Sequence, residues 1–167
     1  YTVSHEEGRV EATLRELAAV NQNSRTPRKL YLWSITEGVV GGDGTQVNDI
    51  RDPIKALRFV EGLEEDTLFI LRDFHPFMGD PVVVRKMRDL SRTLYGKYKK
   101  HVVVLSPVLK LPPELEKVMA VVDFNLPNRE ELDRIVEQVL QGVGPRRESF
   151  EVYTNPSYRE RVVDAAL

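Results

Sequence analysis

Thr67-Leu68-Phe69-Ile70-Leu71-Arg72-Asp73-Phe74-His75-Pro76-Phe77 runs through four consecutive large apolar residues and meets charge only at Arg72 and Asp73. A strand wetted on one face alternates apolar and polar side chains, whereas a parallel strand covered by helices on both faces reads as an unbroken apolar run. Thr67 to Leu71 is of the second kind and predicts a central strand. Ligands in such sheets gather beyond the carboxyl ends of the strands, which puts Arg72 to Phe77 where chemistry would sit.

Downstream, Asp80-Pro81 is a helix start: the carboxylate accepts from first-turn amides and proline fits the first helical position. That helix is expected through about Leu94. His101-Val102-Val103-Val104-Leu105 is a second buried strand, stopped at Ser106-Pro107. Pro112-Pro113-Glu114-Leu115 opens a short helix, Ala120 to Phe124 is the last strand, and Asn128 with Glu131 caps a helix to about Gln141.

Upstream, Asp52-Pro53 repeats the cap and opens a helix carrying Ile54, Leu57, Val60 and Leu63. Leu30 to Thr36 is a strand, and Glu37-Gly38-Val39-Val40-Gly41-Gly42-Asp43-Gly44 after it is a turn-forming stretch whose glycines permit positive φ. At the start, Tyr1-Thr2-Val3 is a strand, Ser4 with Glu7 has capping-box spacing, and Val10, Leu14, Leu17 and Ala18 form a helical stripe. Strands alternating with helices predict a three-layer αβα sandwich around a mostly parallel five-stranded sheet. Residues 1–141 are expected to form this α/β domain. Residues 142–167, with Arg146, Arg147 and Pro156, read as a linker entering a following helical element. A chain that begins inside a strand and stops inside a helix reads as part of a longer polypeptide.

The 167 residues, 41% of them hydrophobic, suffice for one well-buried domain. Lys and Arg number 24 against 26 Asp and Glu, a formal charge of -2, so no broad positive field attracts nucleic acid or an anionic membrane. No cysteine is present, which removes thiolate nucleophiles, disulfides and cysteine metal sites and fits a reducing compartment. The apolar runs are strand-sized and no signal-type start is visible, so the cytoplasm is the default location and no membrane contact is expected. His5, His75 and His101 lack metal-ligand spacing. Lys97, Lys99 and Lys100 read as a solvated helix end complementing the dipole.

Three stretches carry a resemblance. They are Leu68 to Phe77, Val103-Val104-Leu105-Ser106-Pro107-Val108-Leu109-Lys110-Leu111-Pro112-Pro113-Glu114-Leu115, and Val122-Asp123-Phe124-Asn125-Leu126-Pro127-Asn128-Arg129-Glu130-Glu131. Together they are similar to the large domain of AAA-type ATPases, a P-loop NTPase fold, and most to the amino-terminal domain of the AAA proteins encoded in plastid and cyanobacterial genomes. The resemblance implies a nucleotide-binding scaffold, a cytoplasmic or stromal location, ATP and Mg²⁺ for the parent protein, and an active ATPase module elsewhere in the same polypeptide. It also implies protein partners: that module, or other copies in a homo-oligomer.

Position by position the chemistry departs from the family. A P-loop needs GxxxxGK followed by Ser or Thr, to supply amides, a lysine and a metal-binding hydroxyl. Ser4-His5-Glu6-Glu7 supplies none of these. The Gly38 to Gly44 loop follows the second strand, lacks the lysine, and reads as a plain turn. Asp73 resembles the metal-side acid, but Phe74 stands where the water-activating acid belongs, leaving His75 as the remaining base. Ser106 resembles the residue that senses phosphate after the fourth strand, and is equally an ordinary turn residue before proline. Where the family places arginine fingers, only Lys117 is present.

The expected function is therefore a non-catalytic AAA-like domain, binding no cofactor itself, that assembles or regulates the active ATPase module. Two alternatives stay open. One is a divergent ATP-binding or hydrolysing domain using Asp73 and His75, with Ser106 at the phosphate. The other is an adaptor that docks a protein through the Phe74–Met78 loop, with Phe74, His75 and Phe77 in contact. Whether these aromatics are an exposed patch or core lining depends on their burial.

Overall fold

The computed structural model describes residues 1–20, 27–94, 96, 98–142 and 156–166. Contacts divide the chain into Tyr1–Phe124 and Asn125–Leu167. The division falls at Phe124, where the sequence placed it after Gln141. The linker expected around Arg146 and Arg147, and Lys97 of the basic cluster, lie outside the described residues.

In the first unit the strands are β1 (Thr2–Val3), β2 (Lys29–Ser34), β3 (Gly38–Gly41), β4 (Gln46–Asn48), β5 (Thr67–Arg72), β6 (Lys100–Ser106) and β7 (Val122–Asp123). They form one sheet in the order β4-β3-β2-β5-β6-β1-β7. The run β2-β5-β6-β1-β7 is parallel, and these are the five strands the sequence predicts. The sheet has seven strands and not five, because β3 and β4 add an antiparallel hairpin beside β2.

That hairpin occupies the stretch read as a turn. Gly38 sits at φ 75° with its Cα against the backbone of Asn48, where a Cβ would come within 2.7 Å of a carbonyl oxygen, so glycine is required there. Asp43 closes the hairpin end by accepting from the Thr45 amide at 3.0 Å and the Thr45 hydroxyl at 2.7 Å.

Helices cover both faces. α1 (Glu7–Ala19) packs Val10 and Ala18 on Leu30, Leu32, Leu68, Ile70 and Leu105, while Leu17 points outward and is 54% exposed. α2 (Pro53–Gly62) and α3 (Pro81–Thr93) cover the other face, where Leu57, Val60, Val83, Met87 and Leu90 pack on Trp33, Phe69, Leu71 and Val104. This is the expected αβα layering. Both Asp-Pro starts form as read: Asp52 Oδ1 accepts from the Lys55 amide at 2.8 Å and Asp80 Oδ1 from the Val82 amide at 2.7 Å.

The Ser4–Glu7 capping box does not form. Ser4 Oγ accepts from the Glu6 amide at 3.0 Å, a tight turn that delays the helix until Glu7. β7 is also shorter than expected, because β1 offers it only two partners and both its residues are exposed. Lys100 is not on a helix end: it begins β6, buried, with its ammonium donating to the Glu61 carbonyl at 2.6 Å.

In the second unit, α4 (Arg129–Gly142) starts with the predicted box, the Asn128 and Glu131 side chains each accepting from the other's amide at 3.0 Å. It pairs with α5 (Pro156–Ala166) through Arg159, held by Asp133 at 2.6 Å and Glu137 at 2.7 Å, and through Arg129 with Asp164.

Candidate functional site at the carboxyl end of the sheet

Parallel strands β1, β5 and β6 deliver their following loops to one end of the sheet, and Ser4, His5, Asp73, Phe74, His75, Phe77 and Ser106 lie in these loops or at their borders, whereas His101 and Lys100 begin β6 at the opposite end and Gly38–Gly44 belongs to the β3–β4 hairpin. Arg72 closes β5 there. Glu11 of α1 grips its guanidinium on two prongs, Nε to Oε1 at 2.5 Å and Nη2 to Oε2 at 2.9 Å. Glu37 accepts from Nη1 at 2.9 Å and Glu7 lies 3.0 Å from Nε.

Three carboxylates around one guanidinium leave the cluster net negative. Burial raises the Glu7 pKa above its ordinary value; Arg72 opposes that shift, while Glu11 and Asp73 add to it. The hydrogen bond with Glu11 raises Arg72 in turn.

Asp73, His75 and Ser106 are brought together on the neighbouring loops. Asp73 adopts φ 47°, a left-handed conformation that aspartate tolerates, fixed by its amide donating to the Leu105 carbonyl at 2.9 Å. Its carboxylate is exposed and 4.0 Å from His75 Nδ1. Ser106 Oγ is 2.8 Å from the same Nδ1, donates to the Val108 carbonyl at 3.0 Å and accepts from the Val108 amide at 3.3 Å. With the hydroxyl proton on Val108, Nδ1 carries the donor proton of the His75 contact, an assignment made from the network. Ser106 is buried and its oxygen is engaged on each side. Serine and aspartate both meet Nδ1, so this is not the relay of a hydrolytic triad, in which they take opposite ring nitrogens.

The aromatic run is core lining at its centre. Phe74 is fully buried and Met78 nearly so, Trp33 stacks edge-on against Phe74 at 5.4 Å and Phe77 at 5.9 Å, and Phe77 is half-buried. This corrects the docking-loop reading for Phe74, whose ring has no surface to offer.

ATP with Mg²⁺ is the group the resemblance implies, and phosphate would sit at the start of α1. The connection there is Ser4-His5-Glu6. Its Ser4 amide already donates to the Ser106 carbonyl at 3.0 Å and its Glu6 amide to Ser4 Oγ. Glu6 and Glu7 put negative charge where phosphate needs donors. These residues do not fit a nucleotide's phosphates. Lys117 is exposed, and among the described residues no cluster of three or more His, Asp or Glu gathers to hold a metal.

The sequence reading missed Glu11 and Tyr1. Glu7 and Glu11 stand one turn apart on α1, an acidic pair on one face, which was the available signal. The Tyr1 hydroxyl donates to the Val108 carbonyl at 2.5 Å and accepts from the Lys110 amide at 3.3 Å, so Tyr1 and Ser106 together pin the loop after β6.

The family model for the SpoVK-like AAA ATPase, N-terminal domain, matches residues 1–124. The AAA domain-containing protein ycf46 of Trieres chinensis is 30% identical over 151 residues, 87% of this chain and 29% of that protein. Its counterpart in Guillardia theta is 30% identical over 146 residues, 86% and 28%, and that of Gracilaria tenuistipitata var. liui 30% over 135 residues, 80% and 26%. The chain thus spans less than a third of the length of these relatives. No solved structure matches it. The αβα layering and the parallel strand order agree with a P-loop NTPase-like AAA fold, and the chain belongs to the family of SpoVK-like AAA ATPase N-terminal domains.

Proposed function

We propose that this chain is a non-catalytic AAA-like domain of a larger AAA ATPase, and that it assembles or regulates the active ATPase module through protein contacts. What supports the reading is the start of α1. The position that receives phosphate in a working site carries Glu7 and is closed by the Arg72–Glu11 pair, with the Ser4 and Glu6 amides committed inside the protein. Hydrolysis also wants a base beside the metal-side acid, and Phe74 next to Asp73 is buried in the core. A layered scaffold that keeps its sheet while its phosphate end is filled by ion pairs serves as a rigid body for contacts with the ATPase module or with other copies.

The test compares the parent polypeptide with and without residues 1–124, reading ATP turnover and particle size by sedimentation. The expected result is retained nucleotide binding with altered assembly or turnover. Unchanged assembly and turnover would overturn the role.

A further inference from the structure

The chain is close to neutral, yet α3 is not: it carries Arg85, Lys86, Arg88 and Arg92 against a single acid, Asp89. Lys86 is taken up by Glu61 at 2.5 Å and Arg85 by Asp89 at 2.7 Å. Among the described residues, no side chain or carbonyl pairs with the Arg88 guanidinium or with the Lys110 ammonium.

These two cations line one groove of about 450 Å³, between α3 and the loop that follows β6. Its apolar lining is Met78, Pro81, Val84, Leu111 and Pro112, and Arg85 and Glu114 complete its charges. Met78 is buried, while Val84 and Leu111 are half-buried and keep surface to cover. None of Arg72, Asp73, His75 and Ser106 lines the groove, so it is separate from the carboxyl-end site. Its walls are stiff. The Asp80 cap and Pro81 fix the first turn of α3 on one side. On the other, Pro112 and Pro113 hold φ and lead into a short turn, in which the Leu115 amide donates to the Pro112 carbonyl at 2.9 Å and the Leu115 side chain is fully buried. A groove shaped in advance spares a partner the cost of ordering it.

The lining states what would fill it. Met78, Val84 and Leu111 call for an apolar side chain, and three cations against one carboxylate call for negative charge beside it. A nucleic acid would meet the cations with phosphates but leave the apolar floor uncovered, and no aromatic side chain lines the groove to stack a base. We infer that this groove docks an acidic protein segment in which an apolar side chain stands between carboxylates. The apolar side chain lies on Met78, Val84 and Leu111, and the carboxylates pair with Arg88 and Lys110. The inference goes beyond the proposed function and does not depend on it, since a chain that bound nucleotide would present the same groove.

The test titrates the chain with a fluorescent peptide, Glu-Glu-Asp-Glu-Leu-Glu-Asp-Glu-Glu, with a second peptide that has Ser in place of Leu, and with an oligothymidylate of the same length, reading anisotropy and the methyl NMR signals of the groove. The Leu peptide is expected to bind saturably and to shift the signals of Met78, Val84 and Leu111. The Arg88→Glu, Lys110→Glu double variant should weaken it by at least about tenfold at unchanged Tm, and Lys55→Glu, outside the groove, by no more than about twofold. The Ser peptide should bind about tenfold more weakly than the Leu peptide. No binding of the Leu peptide, or equal binding by the double variant, would overturn the inference. Equal binding of the Leu and Ser peptides would overturn the apolar anchor, and oligothymidylate bound as tightly as the Leu peptide would overturn the choice of a protein partner.

Discussion

Arg72 and Glu11 meet as a two-pronged pair, 2.5 and 2.9 Å, across 61 residues of sequence, and tie the end of β5 to the first turns of α1. The Arg72 side chain is 22% exposed and that of Glu11 10%, so the pair lies between a surface bridge and a buried one. Removing one partner of a buried pair costs far more than removing a surface one, because a charge is left uncompensated. Glu7 and Glu37 soften that loss here. Glu11→Ala is expected to cost about 2 kcal/mol by urea denaturation. The Arg72→Met, Glu11→Leu double variant should recover most of it, and a double variant no better than Glu11→Ala would contradict the pairing.

Glu7 belongs to the same cluster yet carries the opposite sign. Its pKa is raised above 4.5, chiefly by burial, so the ionised form is the one folding disfavours. That penalty is present above the raised value and vanishes below 4.5, where folded and unfolded chains are both protonated. Glu7→Gln is therefore expected to be at least as stable as the parent at pH 7, with the difference closing as pH falls below 4.5. Urea midpoints across pH check this, and a Glu7→Gln protein clearly weaker at pH 7 would contradict it.

Phe74 sits fully buried against Trp33, whose indole donates to the Ile50 carbonyl at 2.7 Å. Phe74→Ala leaves a ring-sized cavity and is expected to cost about 3–5 kcal/mol. Thermal and urea unfolding measure it. A neutral substitution would show that the ring is not core.

The Tyr1 hydroxyl makes two of the bonds that hold the loop after β6. Tyr1→Phe keeps the ring in the core and removes both, at an expected cost of about 1 kcal/mol. Exchange at the Lys110 amide should quicken. Unaltered exchange there would mean the loop is held without Tyr1.

The five parallel strands were legible because the central ones are apolar runs closed by proline or charge, and the Asp-Pro helix starts because one residue pair carries both the cap and the turn. The β3–β4 hairpin was not legible. Gln46 to Asn48 is exposed throughout, so it has no inward face to leave a pattern, and glycines at both ends of Val39-Val40 read as a turn. Asp73 and Ser106 were singled out by the resemblance and His75 as a base beside Asp73; the structure brings the three together because β5 and β6 are adjacent parallel strands whose carboxyl ends converge. Glu11 was hidden because its partner is distant in sequence and its place on α1 looked like an ordinary solvated position. Phe74 was undetermined because an aromatic in a loop has no periodicity to say which way it faces.

Titration of the purified chain with Mg-ATP and Mg-ADP by calorimetry tests most directly whether this domain has given up nucleotide. With the phosphate position held by Glu7 and the Arg72–Glu11 pair, no heat and no rise in Tm are expected at millimolar nucleotide, since a ligand that binds the folded state must stabilise it. Saturable binding that is lost in Asp73→Asn would contradict the non-catalytic reading and restore a working site at the end of β5.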